Sequence, residues 1–393
     1  MGVLARRLAF SLPVLPLVVA ALAHAGCGSS SHDDDAPNAP DASPEAVAPV
    51  VDANPGDTSP PPTNCATDRA SDGMWQHLRC TGLYSDFDAK LIAADVRPYK
   101  PALALWADGA EKQRWIALPA GTKIDTSNID EWVFPNGTKL FKELSLDGKR
   151  IETRLYEKGT DGAWRHAAFR WNDALTDAVR IDGGEQIPRG GADVPPYQIP
   201  TGNECNSCHQ GRKDRILGFE AVGLGMAGAE GLTLATLVAE GLLSNPPSST
   251  TVTFPEDTTG KAAAALAWMH VSCGPCHNRS TEATGEKSRN YMLSPASLLL
   301  GADGGSGTVD MLDAYTTTVG LATSIDVPDG GGATFFVIKA GDPSLSRVSY
   351  LSGRRVGPMG NPTEKEQMPP IVSRLVDVQG HALLDAWISA LPP

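Results

Sequence analysis

The pattern Cys-x-x-Cys-His occurs twice in this chain, once at Cys205–His209 and again at Cys273–His277. With 7 cysteines and 8 histidines among 393 residues, composition alone would give about 0.003 copies per chain. Two copies therefore indicate a common chemical role. Each copy requires a fold that brings two thiols and an imidazole to one place, and this requirement limits the chain more than any other feature of its sequence.

The pattern is typical of covalent haem c attachment, in which the two thiols bond to the haem and the histidine becomes an iron ligand. The chain is therefore predicted to carry two covalently attached haem c groups. The predicted attachment and iron-binding residues are Cys205, Cys208 and His209 for the first haem, and Cys273, Cys276 and His277 for the second.

Two other chemistries stay open for these cysteines. Cys273-Gly-Pro-Cys276 has the form of a thiol–disulfide redox site, but such a site follows an apolar strand, and here residues 261–272 are typical of a helix. Two Cys-x-x-Cys pairs could also bind zinc, although zinc does not require a histidine directly after each pair.

A second iron ligand can be predicted for one of the two haems. Met368 lies in the stiff sequence Gln-Met-Pro-Pro before the predicted last helix and is expected to bind the second iron, with Met359 as the rival. Candidates for the first iron are Met226, Met269, His270, His77 and His166. That iron could also keep an open position, which would favour reaction with peroxide over electron transfer alone.

The N-terminus has the features of an export signal, assigned to residues 1–27. Arg6 and Arg7 precede a largely apolar stretch that is too short and too interrupted by proline for a membrane span. The ending Ala-Gly-Cys27 resembles a lipoprotein signal, which predicts lipidation of Cys27 as a membrane anchor. His24 departs from that pattern, and cleavage after Ala25 would instead release a soluble periplasmic protein. Residues 28–66, rich in Asp, Ala and Pro, are predicted to form a disordered linker.

Two further cysteines, Cys65 and Cys80, stand outside both motifs. In an oxidising compartment two such thiols usually pair, so a disulfide between them is predicted. A loop of this size would add about 3 kcal/mol of stability in the chain-entropy model. The alternative is two unrelated free thiols.

Several stretches from about residue 98 to the C-terminus carry a family resemblance. They are Pro101–Asp108, Trp115–Ile124, Ile151–Leu155, Tyr197–Pro200, both Cys-x-x-Cys-His motifs, Gln367–Pro370 and Leu384–Ile388. Together they resemble a poorly characterised family of exported bacterial dihaem c-type cytochromes. The resemblance implies haem attachment at the two motifs and iron ligation by Met368.

The predicted fold class is a multidomain α+β protein. Turn signals at Asn136-Gly137, Asp147-Gly148 and Asp161-Gly162 indicate an antiparallel β-rich N-terminal domain over residues 67–200. A mainly α-helical cytochrome c-type haem region should follow, with helices at 232–243, 262–272 and 377–391. It is divided into a first haem-binding segment, 201–257, and a cytochrome c domain with a Gly-rich insertion, 258–393.

The expected function is electron transfer between redox partner proteins in the periplasm or at the outer membrane. The net charge of −13 argues against nucleic acid as a partner, because no basic stripe is available for phosphates. Two alternatives stay open: a dihaem peroxidase or oxidase-type enzyme with an open first haem, and a partner- or glycan-binding module with auxiliary haems.

Overall fold

The computed structural model describes residues 64–191, 194–280, 289–292, 294, 307–323, 334–355, 367–369 and 372–393. These residues all belong to one compact unit, Gly56–Pro393. The predicted signal segment with Cys27, most of the predicted linker, and Met359 lie outside the described residues. Within the described residues, no helix combines the length and the apolar character that a membrane span requires.

Antiparallel strands dominate the described chain. They are β1 (Tyr84–Asp86), β2 (Leu91–Ile92), β3 (Val96–Lys100), β4 (Glu111–Ala117), β5 (Lys139–Leu146), β6 (Lys149–Lys158), β7 (Trp164–Trp171), β8 (Ala178–Ile181), β9 (Glu185–Ile187), β10 (Tyr197–Ile199) and β11 (Glu230–Gly231). Seven of them form one sheet in the order β11-β3-β4-β5-β6-β7-β8, and β1-β2 and β9-β10 form two small ladders. All of these pairings are antiparallel.

The hairpin between β5 and β6 shows why the sequence folds this way. Asp147 and Gly148 both have positive φ, 49° and 76°, as a two-residue mirror-image turn requires. Such a turn matches the right-handed twist of the strands. The turn pairs Leu146 with Lys149, and an irregularity between Leu144 and Ser145 then shifts the register by one residue, so that Phe141 lies opposite Leu155.

Both faces of the sheet are covered. On one face, Trp115, Phe141 and Leu155 pack with the segment before β3, including Met74 and Leu78. On the other face, Ile116, Leu140 and Tyr156 join a larger core with the helices of the second half of the chain. We call this second side the helical face of the sheet.

The helices of the described residues are short. They are α1 (Gly202–His209), α2 (Ala221–Gly225), α3 (Leu234–Ala239), α4 (Ala262–Ser272), α5 (Asp313–Thr316), α6 (Arg347–Ser352) and α7 (Val378–Ala390), and 3-10 turns lie at Cys65–Thr67, Leu78–Cys80, Val309–Met311 and Pro343–Leu345. The predicted mainly α-helical cytochrome c-type region is wrong: the chain is β-rich, and no mainly α-helical cytochrome c domain is evident among the described residues. The predicted helix over 232–243 illustrates the reason. Thr233 caps α3, and Gly241, at φ 66°, lies just beyond its end, so only six residues are helical.

The two longest helices, α4 and α7, pack against each other. Trp268 donates a hydrogen bond through Nε1 to Oδ2 of Asp377 at 2.8 Å. Gly380 permits this approach, since a Cβ there would collide with the Trp268 indole. Leu384 and Trp387 of α7 are fully buried in the shared core. Helix α4 thereby holds the second Cys-x-x-Cys-His motif, which begins at its C-terminal end.

Candidate functional site

The first motif lies on helix α1. Thr201 and Glu204 form a capping box: Thr201 Oγ1 accepts from the Glu204 amide at 3.3 Å, and Glu204 Oε2 accepts from the Thr201 amide at 2.7 Å. Such reciprocal bonds fix the start of a helix. They place Cys205 in a buried position and Cys208 in a half-buried one, one turn later.

His209 ends α1 in a stack of rings. Its imidazole lies parallel to the Tyr156 ring at 4.1 Å between centroids, and Tyr156 stacks in turn on His166 at 5.2 Å. The Tyr156 hydroxyl is buried and has no hydrogen-bond partner among the described residues.

The protonation state of His209 follows from its surroundings. Its Nδ1 lies 2.7 Å from the carbonyl oxygen of Arg215. Burial, followed by the positive charge of Lys142, holds the pKa of His209 well below its usual value. The ring is therefore neutral near pH 7, with the hydrogen on Nδ1 facing the carbonyl and the lone pair on Nε2.

The second motif leaves the C-terminal end of α4. Cys273 caps that helix, and the amides of Cys276 and His277 both point to the Cys273 carbonyl, at 3.2 and 3.0 Å. The His277 ring meets Tyr291 edge to face at 5.5 Å, and its carbonyl accepts the Tyr291 amide at 3.1 Å. A tight turn thus presents Cys276 and His277 beside the first motif.

The two motifs are in direct contact, although their first cysteines, Cys205 and Cys273, are 68 positions apart in the sequence. Cys276 Sγ lies 3.7 Å from the carbonyl oxygen of Ser207. Gly211 packs so closely on Pro275 that a Cβ would collide with the Pro275 carbonyl. The pair of motif loops therefore forms one structural unit, which we call the paired-motif centre.

Asn278 joins the two loops of the paired-motif centre. Its side chain is 3% exposed. Through Nδ2 it reaches the carbonyl oxygens of Gly211, Gly274 and Pro275 at 3.3, 2.9 and 3.1 Å. Its Oδ1 accepts the amide of Ser280 at 2.8 Å. One side chain thereby satisfies backbone groups of both motif loops.

The four motif cysteines are free thiols in the structure. Burial raises the pKa of Cys205, and it raises the pKa of Cys208 and of Cys273 to about 12. The neighbouring Cys276 adds to the effect at both Cys208 and Cys273. These three thiols are therefore protonated near pH 7.

The prediction of two covalently attached haem c groups is contradicted. The described residues show no haem-binding site, and they contain no group of three or more His, Cys, Asp or Glu side chains that could hold a metal ion. At the first motif, one face of His209 is covered by Tyr156. The zinc alternative has no support in this part of the chain either. The chemical groups present at this site are the thiols and imidazoles of the two motifs.

Other residues singled out from the sequence make their described contacts with residues outside the two motifs. The Met368 amide donates to the carbonyl of Leu351 at 3.0 Å, and its own carbonyl lies 3.5 Å from Arg355 Nη1, so its described contacts are with α6 and the residues just after it. Cys65 and Cys80 form a disulfide in the segment before β1. His77 pairs with Asp68 at 2.6 Å.

Beside the paired-motif centre, a cleft of about 110 Å³, partly open to solvent, lies between the helical face of the sheet and the loop after α1. Its lining includes Lys112, Arg114 and Lys142 from the sheet, and Arg212 and Pro275 from the motif loops. Basic side chains outnumber acidic ones by seven to three along its walls. The cleft is therefore positively charged in a protein whose net charge is −13.

Sequence reasoning missed three residues that shape the site. Gly211 stands two residues after His209, and Asn278 stands directly after His277, so a polar or small residue beside each motif was the available signal. Tyr156 lies on β6, and nothing in its local sequence pattern connects it to His209.

No protein-family model, curated protein or solved structure matches this chain. The resemblance to exported dihaem c-type cytochromes therefore stays a prediction.

Proposed function

We propose that this chain is an exported electron-transfer protein and that the paired-motif centre is its redox site. The observation that carries the proposal is the contact between the two motifs, with Cys276 Sγ 3.7 Å from the Ser207 carbonyl. Electrons pass readily only between groups that lie close together. Two copies of one Cys-x-x-Cys-His pattern held in contact would place two redox groups bound at these motifs within reach of each other. The apolar N-terminal segment after Arg6 and Arg7 supports export.

The protonation of the thiols favours electron transfer over thiol–disulfide exchange. In exchange the thiolate is the attacking species, and burial in apolar surroundings suppresses it. Because the pKa of Cys208 and of Cys273 is raised to about 12, very little thiolate forms near pH 7. Cys205, Cys208 and Cys273 are therefore not the low-pKa cysteines that exchange requires.

The first experiment identifies the group that carries the electrons. The full chain is produced with its export signal, and its four motif cysteines are mapped by alkylation and peptide mass spectrometry. Cysteines that resist alkylation and carry added mass hold a covalent group, which that mass identifies. Cysteines that are alkylated only after reduction form disulfides, and this result would contradict the preference for electron transfer over thiol chemistry.

A redox titration then tests the function itself. We expect a reversible transition in the full chain, and its midpoint potential should change when the first motif is removed by Cys205→Ser with Cys208→Ser. Cys65→Ser with Cys80→Ser is the matched control, because it also removes two cysteines but leaves both motifs intact. A chain without a reversible transition, or one in which both double variants behave alike, would refute the proposal.

A further inference from the structure

Three cations lie in one row across the helical face of the sheet. Arg114 on β4 is directly opposite Lys142 on β5, and Lys142 is directly opposite Arg154 on β6. Side chains opposite each other in an antiparallel sheet have Cβ atoms about 5 Å apart, and like charges in such positions destabilise the sheet. A row of three cations is therefore unfavourable unless negative charge is supplied beside it.

The protein supplies that charge to one member of the row. Arg154 binds both carboxylate oxygens of Glu152, at 2.8 and 2.5 Å. Arg114 is 7% exposed, yet no side-chain hydrogen bond or ion pair joins the Arg114 guanidinium or the Lys142 ammonium group to another described residue. Both line the cleft. Two basic side chains of the row, Arg114 and the partly protonated Lys142, thus line the cleft without a counter-charge.

The other groups around the cleft do not provide a counter-charge for Arg114 and Lys142. Cys205 and Cys208, the thiols whose charge would act on Lys142, have raised pKa values and are neutral. Asp214 is engaged by Lys158 at 2.8 Å.

The remaining acidic groups of the lining are engaged as well. Glu220 caps α2 and lies 3.6 Å from His270. Glu131 lies 3.9 Å from the Arg212 guanidinium, and its Oε1 has no hydrogen-bond partner among the described residues. Asp214, Glu220 and Glu131 therefore each pair with a group other than Arg114 or Lys142.

The cleft also contains a buried hydrogen-bond donor that lacks an acceptor. Trp132 lines the cleft, is 5% exposed, and its Nε1 has no hydrogen-bond partner among the described residues. Buried polar groups normally have partners. An N–H group that lines the same cleft as Arg114 and Lys142 is suited to an oxygen atom that bears negative charge.

We propose that this cleft binds a small anion with carboxylate or phosphate groups, seated on Arg114 and Lys142, with the Trp132 N–H as a further donor. A guanidinium fork and an ammonium group are the usual partners of such oxyanions. The negative charge of the ligand balances the row of cations, which removes the repulsion along the sheet. The inference goes beyond the proposed electron transfer and does not depend on it.

The test measures thermal unfolding of the purified full chain in Hepes and chloride, with sodium phosphate or sodium succinate added at matched ionic strength. We expect at least one anion to raise the Tm of the wild type by several degrees, because a ligand that binds the folded state stabilises it. A response to phosphate alone or to succinate alone identifies the preferred group. Isothermal titration calorimetry on the same samples gives the affinity.

Lys142→Met is the decisive variant, since it keeps the length of the side chain and removes its charge. Without added anion its Tm should equal or exceed that of the wild type, and the affinity for the anion should fall at least tenfold. Arg114→Met should lose the response as well. The control, Lys149→Met, removes an exposed cation at the end of β6 that pairs with Asp173 and should respond like the wild type.

Three results would overturn the inference. The first is that neither anion raises the Tm beyond the ionic-strength control. The second is an equal rise in the wild type and in Lys142→Met. The third is a lower Tm of Lys142→Met in anion-free buffer, which would mean that the protein itself balances this charge.

Discussion

The contact between the two motifs should depend on Asn278. Its amide reaches three backbone carbonyls, of Gly211, Gly274 and Pro275, and accepts one backbone amide, of Ser280. Asn278→Ala removes this donor from the three buried carbonyls, and each buried carbonyl left unpaired costs about 1–3 kcal/mol. Since an NH₂ group has only two hydrogens and the loops can relax, we expect the free energy of unfolding to fall by about 2–4 kcal/mol.

The assay is urea unfolding followed by tryptophan fluorescence, with two comparison variants. Asn278→Asp keeps the shape but turns a carboxylate oxygen toward three carbonyl oxygens, so it should destabilise the protein at least as much as alanine. Asn136→Ala is the matched control, because the Asn136 side chain is exposed and donates one hydrogen bond, to the Thr160 carbonyl at 3.0 Å. Its effect should stay below about 0.5 kcal/mol.

The reasoning would be refuted if Asn278→Ala and Asn136→Ala changed the free energy of unfolding by the same small amount. It would also be refuted if Asn278→Asp were as stable as the wild type. In either case the two motif loops would be held together by something other than this amide.

Three further predictions concern other parts of the chain. Gly380→Ala should lower the free energy of unfolding by about 1–3 kcal/mol, measured by urea unfolding, because the new Cβ would collide with Trp268. Cys65→Ser with Cys80→Ser should cost about 3 kcal/mol in the same assay, and reduction of the wild type should reproduce this loss. The folded-state pKa of Lys142 is lowered from 10.5 to about 7 by burial and by neighbouring arginines, so its charge penalises folding fully below pH 7 and the penalty fades toward pH 10.5. Lys142→Met should therefore raise the Tm more at pH 6 than at pH 10 in anion-free buffer, and an equal gain at both values would contradict the lowered pKa.

Local signals in the sequence predicted local structure well. The Asp147-Gly148 turn and helix Ala262–Ser272 lie where the residues indicated, because positive-φ turns and apolar helical runs are determined by neighbouring residues. The prediction of a mainly helical second half was wrong because neighbouring residues also end helices. Its apolar stretches are interrupted by caps and glycines such as Thr233 and Gly241, so the helices stay short.

The paired-motif centre could not be predicted in this way. The motifs themselves are visible in the sequence, but their contact depends on Gly211 meeting Pro275, which only the folded chain brings together. The row of Arg114, Lys142 and Arg154 also forms only in the folded chain. It exists because of the strand register, and no sequence window contains all three residues.

Strand β6 connects the two proposed sites. Tyr156, which stacks on His209, and Arg154, which ends the cationic row, lie two residues apart on the same face of β6, so a register slip of one residue would turn both away. The charge of Lys142 already lowers the pKa of His209, which means that the cleft and the first motif share one electrostatic environment. If both proposals hold, an anion in the cleft would offset that positive charge, favour the oxidised state of the neighbouring redox group, and so lower its midpoint potential.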